Sequence, residues 1–257
     1  MENNVDEKLP LTAHLEELKK RLIRVLVALG LGFIVCWIFR DWSFNIITKP
    51  LVEVLPQTGS MIFTGLTEAF FTHMKIAFFA SLLLTSPYTF FQIWGFISPG
   101  LYAKEKRYVI PFVISASLLF IGGILFGYFV ALPPAFGFFV SFTTDVLKPM
   151  ISFREYLGLA LKFLLAFGIS FQLPVFIYFM AKVGIVNAAM LRRHRRYAIL
   201  IIFIAAAFLT PDPSALTQVI MAVPLVILYE ISIFLAKIAG RKKNNIADIE
   251  EETPHEN

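Results

Sequence analysis

The sequence has few charged residues, a single cysteine and no motif of a hydrolytic enzyme. Only 16% of its 257 residues are charged, whereas 58% are hydrophobic, which is more apolar surface than one soluble core of this size can bury. Cys36 is the one cysteine and lies in an apolar stretch, so an internal disulfide and redox chemistry are excluded. HExxH, GxSxG and a phosphate-binding glycine loop are absent. We therefore expect no catalytic residue, no metal site, no cofactor and no enzymatic activity.

What the chain does contain is six apolar stretches separated by short charged loops. Helices satisfy their own backbone hydrogen bonds in lipid, so the sequence predicts an all-α integral membrane protein with one six-span domain over 1–240. A charged amphipathic helix over 12–24 is expected at the membrane surface. The polar segment 241–257 is expected to be a disordered tail. The predicted spans are 22–39, 69–91, 109–132, 156–181, 197–210 and 215–236.

The basic residues fall on alternate loops, which indicates the orientation of the chain. Of 23 Lys and Arg residues, 17 lie at the two ends of the chain and in the loops 92–108 and 182–196. Cytoplasmic loops carry such an excess of basic residues, so both termini are predicted to be cytoplasmic. The net charge of +5 reflects this distribution and not a face for nucleic acid.

Proline positions and span lengths predict the shape of the bundle. Pro87, Pro111, Pro174 and Pro224 fall within or at the start of predicted spans, where each removes a helix hydrogen bond and permits a kink. The fifth span measures roughly 21 Å at 1.5 Å per residue, against a hydrocarbon core of about 30 Å. The sixth is apolar only until Glu230. We therefore expect a kinked, concave bundle with short fifth and sixth helices.

Three acidic residues stand among basic ones in the segments expected at the cytoplasmic surface. Glu16 and Glu17 belong to the amphipathic helix, and Glu105 belongs to the second cytoplasmic loop. One interpretation is a solvated set of salt bridges, such as Glu17 with Arg21, worth about 0.3–0.5 kcal/mol for a helical pair. The other is a carboxylate site for a cationic ligand presented at the membrane surface. The residue types alone leave both interpretations open.

Six strings of the sequence carry a resemblance to a known family. They are HLEELKKRL (14–22), SPYTFFQIWGFISPGLYAKEKR (86–107), SLLFIGGILFGYFV (117–130), FGISFQLPV (167–175), LTPDPSALTQ (209–218) and AVPLVILYEISIF (222–234). In this order and with these loop lengths they resemble TatC, the signal-peptide-recognising core subunit of the twin-arginine protein translocase. The resemblance runs from about residue 10 to 240. It implies six spans with both ends cytoplasmic.

The resemblance implies a signal-peptide-binding role for five residues. In the family, carboxylates at the positions of Glu17 and Glu105 bind the paired arginines of the signal peptide. Phe96 matches an aromatic residue near this site and is expected to contact the apolar residue after the arginines. Lys19 and Lys104 flank the carboxylates and are expected to hold them in place. A guanidinium matches a carboxylate with two parallel hydrogen bonds whereas an ammonium does not, so a preference for Arg over Lys is expected.

Four further positions are expected to matter within or between the spans. Gln172 stands where many bacterial relatives have a glutamate, which removes a titrating charge and keeps the capacity to hydrogen-bond. We expect its amide to bond either a partner's transmembrane helix or a neighbour within the bundle. Pro50 matches a family position in the first external loop, Asp212 lies in the tight TPDP turn, and Glu230 lies near the end of the sixth span. All three are expected to give structural support.

The resemblance implies a receptor and core subunit in the cytoplasmic (inner) membrane of a prokaryote. Its expected partners are paired-arginine signal peptides of folded precursors, TatA- or TatB-like single-span proteins, other copies of itself and the lipid bilayer, with export driven by the proton-motive force. No nucleic acid partner is expected. The alternative function is a small-molecule or ion secondary transporter, which calls for a charged intramembrane pathway or an inverted repeat. Neither feature is evident in the sequence.

Overall fold

The chain is built almost entirely from helices. The computed structural model describes residues 11–54, 60–97, 109–141, 150–209 and 215–251. The α-helices are α1 Leu11–Ile38, α2 Arg40–Val54, α3 Glu68–Ile97, α4 Val109–Phe126, α5 Leu132–Val140, α6 Phe153–Ser170, α7 Leu173–Val183, α8 Ala188–Arg193, α9 Arg195–Leu209 and α10 Ala215–Glu251, with a π-helical turn over Gly127–Ala131 between α4 and α5. Two short strands, β1 Ser60–Ile62 and β2 Met150–Ser152, complete the described elements.

Five helical stretches of the described residues are long and apolar enough to cross a membrane: Thr12–Ile38, Glu68–Phe96, Val109–Phe138, Phe153–Val183 and Thr217–Gly240. They coincide with the first four predicted spans and the sixth. The predicted fifth span corresponds to α9, whose 15 residues span roughly 22 Å and fall short of a hydrocarbon core of about 30 Å. The all-α membrane class and the short fifth helix therefore agree with the prediction, and the amphipathic segment 12–24 does run directly into the first span within α1.

The prediction of a short sixth helix is wrong. Helix α10 contains 37 residues, and its membrane-length part, Thr217–Gly240, contains 24. Helix α10 continues past Glu230, and Arg195 forms an ion pair with the Glu230 carboxylate. The bounds of α10 include 241–251, part of the segment 241–257 for which the sequence predicts a disordered tail, and that expectation stays a prediction. Residues 252–257 lie outside the described part of the chain.

The fold divides into two compact units along the chain. Unit 1 comprises Met1–Phe44 and His73–Ser117, and unit 2 comprises Asn45–Thr72 and Leu118–Asn257. In unit 1, the buried Trp94 stacks on Phe112 with ring centroids 3.9 Å apart, and such an aromatic pair contributes packing beyond simple area burial.

The core of unit 2 is aromatic and requires one glycine at a close helix crossing. Phe153, Phe163 and Phe167 are each at most 1% exposed. A Cβ atom placed on Gly123 of α4 would lie 2.6 Å from the backbone oxygen of Phe167 in α6. Only glycine therefore allows these two backbones to approach so closely.

The fourth predicted span is interrupted near Pro174, as the proline pattern suggested. Helix α6 ends at Ser170 and α7 begins at Leu173, because Pro174 lacks the N–H that would bond the carbonyl of Ser170. By contrast, α3 and α10 continue through Pro87 and Pro224.

The connection between α1 and α3 contains structure that the sequence did not predict. Strand β1 pairs in parallel with β2, with Met61 opposite Ile151, and strands of three residues are too short to show a periodicity. The buried carboxylate of Glu68 accepts hydrogen bonds from the backbone N–H groups of Thr64 (2.7 Å) and Arg154 (2.9 Å). Glu68 thereby ties the loop after β1 to the start of α6.

Pro50 lies inside α2, where the hydroxyl of Tyr128 supplies the hydrogen bond that the proline removes. A proline at this position leaves the carbonyl of Ile46 without its helical donor. The hydroxyl of Tyr128, in the π-helical turn, donates to that oxygen at 2.6 Å. The hydroxyl of Tyr156 in α6 donates to the next carbonyl, that of Ile47, at 2.5 Å. The role of Pro50 in structural support stays a prediction.

Candidate functional site

The best-defined polar site in the described part of unit 1 joins the start of α1 to the end of α3. Arg21 donates to Oε1 of Glu17, one turn earlier on α1, from both Nε (3.0 Å) and Nη2 (2.6 Å). Its Nη1 atom donates to Oε1 of Gln92 on α3 at 3.3 Å. The side chains of Arg21 and Glu17 are 21% and 28% exposed, so this pair is partly solvated and open to exchange.

An aromatic pair lies beside this ion pair. The imidazole of His14 stacks on the ring of Phe96 with centroids 4.3 Å apart and planes 16° from parallel. His14 precedes Glu17 by three residues, and Phe96 follows Gln92 by four, so each lies on the same helix face as its polar neighbour. The stack therefore gives the site an apolar surface next to a carboxylate.

Gly95 makes room for the guanidinium against α3. A Cβ atom at this position would overlap Nη1 of Arg21 and would lie 2.8 Å from its Cζ atom. Any larger residue would displace the guanidinium from its place between Glu17 and Gln92. The absence of a side chain at Gly95 is thus part of how this site holds an arginine.

Two of the five predicted signal-peptide-binding residues belong to this cluster. Glu17 and Phe96 lie in it, although Glu17 is held by Arg21 rather than by Lys19. Lys19 is exposed on α1. Glu105 and Lys104 lie outside the described residues, so their placement relative to Glu17 stays a prediction.

The remaining predicted positions lie elsewhere. Gln172 occupies the break between α6 and α7, where its backbone carbonyl accepts from the N–H of Phe176 at 2.9 Å. Glu230 of α10 pairs with Arg195 at the start of α9, and its role in structural support stays a prediction. Asp212 lies outside the described residues.

Sequence reasoning did not single out Gln92, Gly95 or His14. A signal existed for Gln92, because it precedes Phe96 by four residues and residues three or four apart share a helix face. Gly95 follows Gln92 by three residues and so lies near it on the helix surface. No comparable signal linked His14 to Phe96, since 82 positions separate them and only the packing of α1 on α3 brings them together. Among the described residues there is no group of three or more His, Cys, Asp or Glu side chains placed to hold a metal.

The long apolar helices define a polytopic helical membrane protein, and the cluster of Glu17, Arg21 and Gln92 defines a polar site at the start of its first helix. The profile of one family, described as Sec-independent protein translocase protein (TatC), matches residues 13–224. The chain belongs to this TatC family.

Individual relatives support the assignment over nearly the whole chain. A protein of Desulforapulum autotrophicum named Sec-independent protein translocase protein TatC is 47% identical over 252 residues, covering 98% of this chain and 92% of the relative. The Escherichia coli protein of the same name is 36% identical over 242 residues, covering 94% and 93%. A crystal structure described as the twin arginine translocase receptor TatC superposes with a TM-score of 0.79 at 39% identity, covering 88% of this chain and 99% of that one. The chain is therefore a multi-pass membrane component of a bacterial Sec-independent protein translocase.

Proposed function

We propose that this chain is the receptor and core subunit that binds paired-arginine signal peptides of folded precursor proteins. The observation that carries the proposal is that the Glu17 carboxylate binds a guanidinium, accepting hydrogen bonds from its Nη2 atom at 2.6 Å and its Nε atom at 3.0 Å. The partner is the chain's own Arg21, so the contact demonstrates the chemistry of the site and not its ligand. A signal-peptide arginine presents the same planar fork of donors.

Two carboxylates allow two consecutive arginines of the signal peptide to be bound, one by each carboxylate. In the proposal, Glu17 takes one guanidinium and Glu105 takes the other, while Lys104 and Lys19 orient the acidic groups. A lysine ammonium is a compact, strongly hydrated charge without a fixed fork. Binding should therefore discriminate between Arg-Arg and Lys-Lys at equal net charge.

The stacked rings next to Glu17 suit the apolar residue that follows the arginines. Phe96 and His14 present a surface beside the carboxylate, so a ligand with charged residues followed by an apolar one meets complementary chemistry in the same order. Binding of an aromatic or aliphatic side chain here adds buried apolar area to the ionic contact.

We place this site on the cytoplasmic side, because the loops rich in Lys and Arg are retained there. Both termini are then cytoplasmic. TatA- or TatB-like single-span proteins and further copies of this chain complete the proposed translocase, which uses the proton-motive force.

Gln172, at the break between α6 and α7, is the proposed polar contact for a partner helix. Gln172→Leu should then weaken crosslinking to that helix, and unchanged crosslinking would remove the idea.

The test of the receptor role is photocrosslinking from Ala13, one turn before Glu17 on α1. A photoreactive residue at this position is combined with a precursor carrying Arg-Arg or Lys-Lys, at one fixed salt concentration because ionic binding is screened by salt. We expect crosslinks with Arg-Arg that are lost on Glu17→Gln or Glu105→Gln. Glu16→Gln is the matched control, since Glu16 pairs with Lys20 and is 64% exposed.

Equal crosslinking of both precursors, or no effect of Glu17→Gln, would contradict the receptor role. Solute uptake by the purified chain alone in vesicles would then favour the secondary transporter instead.

A further inference from the structure

The arginine-binding carboxylate of this chain is already occupied by an arginine. Arg21 directs two donors to Oε1 of Glu17. The contact uses the chemistry that the proposed function assigns to the ligand. Any incoming arginine must therefore exchange with Arg21 or share the carboxylate with it.

The place that Arg21 occupies is shaped for a guanidinium on three sides. Glu17 accepts on one side, Gln92 accepts on the second, and Gly95 leaves the space that a Cβ atom would fill on the third. Gln92 is 5% exposed, so its amide is held by the surrounding packing of unit 1. A guanidinium released from Glu17 still has Gln92 within reach.

We propose that Arg21 is an internal occupant of the arginine site and is displaced from Glu17 when a signal-peptide arginine binds. This inference rests on the proposed function and adds its regulation. The pair is partly exposed, and exchange is therefore feasible, since ion pairs at such positions are weak. Occupation by Arg21 keeps the carboxylate from holding weakly bound cations in the absence of a precursor.

The size of the effect follows from the weakness of the pair. A partly exposed helical ion pair favours the paired form by about two- to fivefold. Only the unpaired form accepts a ligand, so the apparent Kd rises by the inverse of its population. Removing Arg21 should tighten binding about three- to sixfold. Because the occupant competes with every ligand alike, Arg-Arg and Lys-Lys peptides should tighten by the same factor.

The experiment measures the Kd of two fluorescein-labelled peptides for the full chain in lipid nanodiscs. The peptides carry Arg-Arg or Lys-Lys before one apolar residue, and empty nanodiscs correct for lipid binding. Arg21→Met removes the occupant. Arg24→Met is the matched control, because Arg24 is an exposed residue of the same helix and its replacement removes an equal charge. We expect tightening with Arg21→Met and little change with Arg24→Met.

Two results would overturn the inference. Weaker binding by Arg21→Met would show that Arg21 orients Glu17 for the ligand, and equal tightening by Arg24→Met would show a general effect of charge. If Arg21→Met does not fold, Arg21→Lys keeps the charge and loses the fork, and it should tighten binding to a smaller extent. Weaker binding or no change would refute the inference.

Failure of the proposed function is recognised separately. It would appear as wild-type chain that binds neither peptide, or as Arg-Arg binding that survives Glu17→Gln.

Discussion

Replacing Tyr128 with Phe should destabilise the chain only while Pro50 is present. Pro50 cannot donate to the carbonyl of Ile46, and the Tyr128 hydroxyl supplies that bond at 2.6 Å. Loss of a partly solvated hydrogen bond of this kind lowers the free energy of unfolding by about 0.5–1.5 kcal/mol. Pro50→Ala restores a backbone N–H four residues after Ile46, which can take over the same oxygen. In the Pro50→Ala background, Tyr128→Phe should therefore cost close to nothing.

The assay is a double-mutant cycle on reversible unfolding in mixed micelles, followed by far-UV circular dichroism as the fraction of denaturing detergent rises. The three tryptophans, Trp37, Trp42 and Trp94, all belong to unit 1, so their fluorescence would report the wrong unit. The coupling energy between positions 50 and 128 should be about 0.5–1.5 kcal/mol.

A reference variant calibrates the scale of that measurement. Tyr156 is 2% exposed, and Tyr156→Phe leaves the carbonyl of Ile47 buried without this donor, at a cost of about 1–3 kcal/mol. An equal cost of Tyr128→Phe in both Pro50 backgrounds would refute the claim that the tyrosine compensates for the proline.

Two further predictions each compare the effect of a substitution on stability with that of the same substitution at a control position. Gly123→Ala should lower the free energy of unfolding by about 1–3 kcal/mol, because the new methyl group meets the backbone oxygen of Phe167. A Cβ atom at Gly122 would have no neighbouring atom within 4 Å, so Gly122→Ala should stabilise α4 by up to about 1 kcal/mol through helix propensity. If both substitutions changed the free energy of unfolding in the same direction, the close packing of α4 on α6 would be contradicted. Glu68→Gln should lower the thermal midpoint in nanodiscs clearly more than Glu53→Gln does, because Glu68 is buried and accepts several hydrogen bonds whereas Glu53 is exposed. Equal shifts in the midpoint would show that the Glu68 contacts add no stability.

Local features of the sequence predicted the fold class correctly and failed where a distant partner changed their meaning. The break between α6 and α7 was visible because Pro174 acts on its own helix. The sixth span was expected to stop at Glu230 because a lone carboxylate is unfavourable in lipid. Arg195 neutralises it from another helix, and no local pattern shows that partnership.

The candidate site divides in the same way. Glu17 and Arg21 are one helical turn apart, so their ion pair was readable from the sequence as one of two interpretations. On another helix, Gln92 accepts a hydrogen bond from the Arg21 guanidinium and Gly95 leaves the space that it fills. Their contribution depends on which faces of α1 and α3 meet, and this follows from packing and not from spacing.

The sequence by itself determined that this chain is a helical membrane protein of a recognisable family, since long apolar runs admit no other structure in lipid. It also determined the basic loops and the positions of the acidic residues. Only the tertiary structure decided that Arg21 pairs with Glu17 in the space beside Gly95, that Tyr128 replaces the hydrogen bond lost at Pro50, and that β1 and β2 pair. Each of these contacts joins residues from separate elements, and the free energy that selects such contacts arises only when those elements pack together.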